Sequence, residues 1–274
     1  MSEITTTQSA TEQAIALSEK VMVDTQISTA KAFPRNVKNV FENALTTATI
    51  NLEIAQSCTY TVPRAGKNIT GDSIRLAEII AGEWGNLQRG KRVLGVEGKM
   101  VKAEAVVWDL EKNNRVTVQE SRRITTSKGE LYGDDMIQTT GKAAASIAMR
   151  NAIFDIIPRA FSLAIMEKVR EYIKNPNPSD KNAKSIPERI DSAMKAFGTR
   201  NIPPNAILTI LKKDSVADLN GDDLIEIIGM WNALRDNVIT VDEILNPPPE
   251  VIDDKTGEVK TKGDSILDKI NSKK

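Results

Sequence analysis

Between Asn36 and Gln56, the residues Val37, Val40, Phe41, Ala44, Leu45, Ala48 and Leu52 recur at three- and four-residue spacing, which predicts an amphipathic helix. The period then shortens. In "CTYTVPRAGKNITGDS" (58–73), Tyr60 and Val62 alternate with polar residues before Pro63 and Gly66, so a strand followed by a loop is expected. Asp72 or Ser73 is suited to cap the next helix, "SIRLAEIIAGEWGNL", which ends near Gly85. "KRVLGV" leads into "EGK" and then "MVKAEAVVWDL", where Val101, Ala103, Ala105 and Val107 fall on one face. "EKNN" supplies turn chemistry, and "RVTVQESRRI" continues in β-favouring residues. Three short strands joined by tight turns predict an antiparallel meander.

Helical spacing returns in "GKAAASIAMRNAIFDIIPRAF" (Gly141–Phe161), whose first turns carry almost no bulk. Ala143, Ala144, Ala145 and Ala148 allow a sheet to approach closely, and Ile147, Ile153, Phe154, Ile156 and Ile157 supply apolar bulk. Lys142, Ser146 and Arg150 stand at i, i+4 and i+8 and therefore share one stripe. Pro158 stops the hydrogen-bond ladder. This helix is expected to cover one face of the meander, and a further helix, Phe161–Ile173, follows it.

"NPNPSDKNAKSIP" reads as a linker by its Pro, Asn, Ser and Lys content. "ERIDSAMKAFG", "PNAILTILKK", "DDLIEIIGMWNALRDN" and "TVDEIL" then predict a compact helical unit, closed by "NPPPE". The organisation expected is a flexible N-terminal segment (1–30), a core (31–174), a linker (175–186), a helical partner-interaction domain (187–246) and a disordered tail (247–274) in which Ser265–Ile270 forms at most a helical turn. The fold class is α+β: a small three-stranded antiparallel sheet packed by helices, followed by a separate small all-helical C-terminal domain.

Composition narrows the chemistry. There is no histidine, so Ser-His-Asp and Cys-His nucleophile systems cannot be assembled. The single cysteine, Cys58, excludes a disulfide scaffold and fits a reducing compartment. The N-terminus lacks the pattern of a secretory signal, and no apolar run reaches membrane-spanning length, so a cytoplasmic protein is expected. No G-x-x-x-x-G-K-[ST] cradle is present. No catalytic residue, cofactor or metal is assigned.

Net charge is zero but unevenly spread. Residues 87–123 hold nine basic and five acidic side chains, a net +4, whereas 187–246 hold six basic and ten acidic, a net −4. A basic middle beside an acidic helical unit suits a polyanion-binding core with a separate interaction module. An ordinary solvated surface with uneven charge is the plain alternative. Among aromatic residues, Trp84, Trp108 and Tyr132 are candidates for base stacking, although core packing is the more usual role of tryptophan.

The Gly141 helix resembles the late helix of phage single-strand annealing recombinases of the RecT/Redβ type, which runs Lys-x-x-Ala-x-x-Arg into an apolar turn and proline. The counterparts are Lys142, Ala145, Arg150 and "IIP" at Ile156–Pro158. Where such proteins tend to carry two adjacent basic residues, this chain has Arg150-Asn151. "GDSIRLAEIIAGEWGN" with "DDMIQTTGKAAASIAMRNAIFDIIP" is similar to phage proteins found among recombination genes. The segment from "AMKAFG" to "TVDEIL" is similar to the small helical domain attached to several annealing proteins.

The resemblance implies ATP-independent binding of single-stranded DNA and annealing of complementary strands in phage recombination. It also implies a homo-oligomer, as a ring or helical filament, in the bacterial cytoplasm. The strand would lie in a basic groove between the sheet and the helices. Lys142, Arg150, Arg89, Lys91, Arg92, Arg122 and Arg123 are the groove residues expected to meet phosphate. Lys195, Arg200, Lys212 and Lys213 are candidates for receiving an acidic peptide from a host single-strand-binding protein or a partner exonuclease, against the plainer reading of solvated helix faces. Two other classes stay open. A Mg²⁺-dependent nuclease would draw on Glu97 and Lys99 of "VEGK" with Asp72 or Asp109. A regulatory phage protein would use the basic sheet to bind another protein.

Overall fold

Alternation in the middle of the chain becomes a three-stranded antiparallel meander in order β3-β4-β5. The computed structural model describes residues 10–64, 67–126, 129–180, 183–247, 251–252 and 259–260. Strand β3 is Leu87–Glu97, β4 Met100–Asp109 and β5 Asn114–Arg123. The turns use the left-handed backbone that their residues tolerate: Gly98 at φ 58° between β3 and β4, and Asn113 at φ 53° between β4 and β5. Val101, Ala103, Ala105 and Val107 are buried, and their odd-numbered row faces the covering helix. A bulge at Leu94 shifts the β3 register, so that Val93 pairs with Ala103 and Gly95 with Lys102.

Helix α5 (Asp134–Ile156) covers that row, as its small residues predict. A Cβ added at Gly141 would lie 3.3 Å from methyl groups of both Val101 and Val93. Ala103, Ala144 and Ala145 form a buried cluster of their own at this contact. Close approach is thus the work of the alanines, and the bulkier Ile153 and Ile157 reach into the main core. Helix α6 (Arg159–Lys174) follows immediately after Pro158.

Upstream, the helical stretch predicted over 36–56 divides into α2 (Val37–Ala48) and α3 (Leu52–Ser57). Asn36 caps the first and Asn51 the second, accepting from the Ile54 backbone N–H at 2.8 Å. A polar residue able to satisfy new helix donors outweighs the continuing apolar spacing. A hairpin of β1 (Thr59–Val62) and β2 (Ile69–Asp72) comes next, and Ser73 caps α4 (Ile74–Trp84).

The segment expected to be flexible over 1–30 is helical from Ala10, and residues 1–9 lie outside the description. Helix α1 (Ala10–Ala32) is held by its C-terminal end: Val23 and Ile27 are half-buried and Ala30 is buried, at i, i+4 and i+7. Ile15, Leu17, Val21 and Met22 are exposed.

The C-terminal unit is all-helical over 187–246, comprising α7 (Ile186–Gly198), α8 (Pro204–Leu211), α9 (Gly221–Arg235) and α10 (Val241–Leu245) with a 3₁₀ turn at Val216–Asp218. It follows the linker in sequence but is joined to the first unit by one continuous hydrophobic core. Helix α9 lies directly on β1, where Asn232 donates to the carbonyls of Gln56 at 2.8 Å and Thr59 at 2.9 Å. The linker itself is tied back, since Asp180 accepts from the Leu52 backbone N–H at 2.5 Å. Beyond Pro247, only β6 (Val251–Ile252) and β7 (Val259–Lys260) are described, as a short antiparallel pair. The rest of the expected tail falls outside the described residues.

Candidate nucleic-acid interface

Helix α5 turns its alanines to the sheet, so the stripe of Lys142, Ser146 and Arg150 points the other way. It faces the β1–β2 hairpin, the start of α4 and the turn after α9 across a cleft of about 220 Å³. Tyr60 of β1 sits opposite Gly71 of β2, whose missing side chain makes room for the ring. The Arg150 guanidinium lies 4.6 Å from the centre of that ring. Arg150 also donates to Asn151 Oδ1 at 2.9 and 3.1 Å, and Asn151 in turn donates to Glu120 Oε1 at 2.7 Å. Lys142 is exposed at the rim.

Arg75, in the first turn of α4, adds a third cation. No signal in the sequence marks it, where it is one basic residue in an apolar helix. Its guanidinium is ion-paired with Asp236, just past the end of α9, including an Nη2 to Oδ1 contact of 2.9 Å. Asp236 is the one carboxylate among the lining residues.

Strand β3 extends this surface. Arg89 and Lys91 pair with Val107 and Ala105, so they occupy the helix-side face of an exposed edge strand. Lys91 Nζ lies 3.4 Å from Ser146 Oγ, one turn from both Lys142 and Arg150. Of the seven predicted phosphate-binding residues, Lys142 and Arg150 line the cleft, Lys91 reaches Ser146 of the same stripe, and Arg89 shares the strand face of Lys91.

The other three do not join them. Arg92 and Arg123 project from the opposite face of the sheet, where Arg92 pairs with Glu104 at 2.9 Å. Arg122 is turned inward and donates to the Val238 carbonyl at 2.8 Å. Burial lowers its pKa, an effect partly offset by Glu243 and Glu120. Its place is structural, linking the sheet to the turn that walls the cleft.

The aromatic candidates divide similarly. Trp84 is buried against Phe161, edge to face at 5.3 Å, with Arg35 4.9 Å from its ring centre. Trp108 is half-buried on the open sheet face and donates to Asn113 Oδ1 at 3.2 Å. Tyr132 is half-buried, and burial raises its pKa with Glu243 adding to the effect.

The proposed partner-binding cations do not converge either. Lys195 pairs with Asp191 on its own helix at 2.6 Å, and Lys213 pairs with Asp223 at 3.0 Å. Lys212 ends α8 at φ 56°, and Arg200 lies in an exposed turn. Nor are the nuclease carboxylates assembled. Glu97 is ion-paired with Lys102 at one end of β4, Asp109 with Arg35 at the other, and Asp72 with Arg159. Lys99, the lysine of that motif, donates to the Gly129 carbonyl at 3.2 Å. Among the described residues, no group of three or more His, Cys, Asp or Glu is placed to hold a metal ion. Among them too, no helix is long and apolar enough to cross a membrane.

The chain matches no protein-family model, no curated protein and no solved structure.

Proposed function

We propose that this protein binds single-stranded DNA through its phosphate backbone and anneals complementary strands without ATP, as an oligomer in phage recombination. The observation that carries the reading is the cleft lined by Lys142 and Arg150 of α5, with Lys91 of the edge strand against Ser146 of the same stripe. Cations from two elements line one surface, next to a third in Arg75. Exposed cations of this kind suit phosphate contacts, which give affinity without a sequence code. The expected resemblance to RecT/Redβ-type annealing proteins adds the second half of the reading, pairing with an incoming complement. A ring or filament would multiply weak single-site contacts into stable binding. The same resemblance makes a host single-strand-binding protein and an exonuclease the proposed partners, and the bacterial cytoplasm the proposed compartment.

Fluorescence anisotropy with a labelled single strand, titrated across salt and followed by its complement, tests the proposal. Binding should weaken linearly in log salt, and annealing should proceed without nucleotide. Lys142→Ala/Arg150→Ala should reduce the single-strand salt slope by about 1.4, for two lost phosphate contacts at about 0.7 each. Absence of binding to single strands and to freshly mixed complementary strands would overturn it.

A further inference from the structure

The pair of Arg75 and Asp236 brings the N-terminal turn of α4 to the end of α9, residues 161 positions apart in the chain. Both terminal nitrogens of Arg75 face the two oxygens of one carboxylate. A guanidinium fork of this geometry can donate in bidentate fashion to a carboxylate or to a phosphate. The pair is only partly shielded, with the Arg75 side chain 38% and that of Asp236 16% exposed. It therefore stands where solvent and ligands can reach it.

Asp236 is poorly explained by its own helix. It caps the C-terminal end of α9, where the helix dipole disfavours negative charge. The compensating cations are Arg75 across the cleft and Arg235, whose Nε lies 3.6 Å from Oδ1. The carboxylate also faces a cleft that otherwise presents Lys142 and Arg150. It is thus an anion already seated in a cationic site.

We infer that Arg75 is a phosphate-binding residue held in reserve, and that Asp236 occupies the place of a phosphodiester group until a strand displaces it. The inference rests on the DNA-binding reading above and names a residue and a competitor within that same site. Displacement exchanges one anion for another on an unchanged fork, so it requires no rearrangement of α4. The acidic C-terminal helices then tune the cleft that they wall.

The experiment compares wild-type protein, Asp236→Asn, Arg75→Gln, their combination, and Lys142→Ala/Arg150→Ala on one labelled single strand across salt. Freeing Arg75 with Asp236→Asn should tighten binding about three- to fivefold, the worth of an exposed ion pair. The salt slope should stay unchanged in Asp236→Asn, because Arg75 meets phosphate in the wild-type complex too, and should fall by about 0.7 in Arg75→Gln, one lost phosphate contact. In the Arg75→Gln background the gain should vanish, and Arg75→Gln alone should leave affinity weakened only slightly. If wild type binds and Lys142→Ala/Arg150→Ala weakens it while Asp236→Asn has no effect, the inference falls and the DNA-binding reading stands. If the gain persists without Arg75, Asp236 acts by general repulsion and the inference again falls. If no protein binds, Asp236→Asn included, both fall. Thermal melts accompany each variant. Should Asp236→Asn fail to fold, Asp236→Ser replaces it with the same expected gain, and absence of that gain overturns the inference.

Discussion

Gly229 is the residue on which the seating of α9 turns. A Cβ built there would lie 2.4 Å from Thr61 Oγ1, 2.8 Å from the Thr61 amide nitrogen and 2.8 Å from the Tyr60 carbonyl carbon. Non-bonded carbon contacts are optimal at roughly 3.5–4.0 Å, so accommodating a methyl needs about 1 Å of separation. Two of the three obstructing atoms are backbone, which cannot rotate away as a flexible side chain does. Opposing this, alanine gains about 0.5–1 kcal/mol over glycine in a helix interior. Overpacking against rigid neighbours costs about 1–3 kcal/mol. Parting α9 from β1 also stretches the bonds from Asn232 to the Gln56 and Thr59 carbonyls. Gly229→Ala should therefore destabilise the protein by about 1–2 kcal/mol once the helix gain is subtracted.

The assay is urea unfolding of the full chain followed by circular dichroism, with Gly82→Ala as the internal control. Gly82 lies inside α4 with nothing within 4 Å of an added Cβ, so that substitution should stabilise by about 0.5–1 kcal/mol. Opposite signs for the two substitutions are expected. If Gly229→Ala were as stable as wild type or more so, α9 would not lie on the β1 backbone, and the wall of the cleft would be misplaced.

Four further predictions follow from local geometry. Arg35 grips Asp109 with contacts of 2.5 and 2.7 Å and holds Glu111 at 2.9 Å, all three side chains less than a tenth exposed. Arg35→Ala should cost about 3–5 kcal/mol in urea unfolding by leaving buried carboxylates unpaired, and a loss under 1 kcal/mol would refute the pairing. Burial alone would raise the Asp109 pKa, but Arg35 and the Lys112 amide outweigh it, so the folded value lies below the ordinary one. Stability from Asp109 is therefore full above about pH 4 and lost as pH falls through the folded value, a loss that urea midpoints from pH 6 to pH 2 should show reduced in Asp109→Asn. Cys58 is fully buried, and burial pushes its thiol up to about 12, against a lowering by Ser57. A thiol reagent at pH 8 should label it only in denaturant, and fast labelling of the native protein would contradict that burial. Gly71→Ala would bring a methyl within 2.7 Å of Tyr60 Cε1, displacing the ring beneath Arg150. Single-strand affinity should drop a few-fold by anisotropy, and unchanged affinity would detach Tyr60 from the site.

The meander was legible because alternation alone specifies it: Val101, Ala103, Ala105 and Val107 admit one buried face, and Gly98 and Asn113 suit its turns. Helix α1 was not, because Ile15, Leu17, Val21 and Met22 form no stripe, and the shielded positions among its described residues are the widely spaced Val23, Ile27 and Ala30. Within the site, strand parity held more information than charge. Arg122 and Arg123 look equivalent as a basic pair, yet Arg122 shares the face of Val116, Val118 and Glu120, while Arg123 shares that of Thr117, Gln119 and Ser121. The same rule puts Arg89 and Lys91 with Val93 and sends Arg92 to the other side. Parity separates the faces, and the covering of one face by α5 decides which strand cations lie on the side of its Lys142–Ser146–Arg150 stripe. Arg75 obeys no such local rule. Its partner lies at the end of α9, and the pair exists because Gly229 lets that helix rest on β1. The cationic stripe is thus a property of local period, whereas its counter-anion is a property of tertiary packing, and a substitution at Gly229 should disturb the second while leaving the first intact.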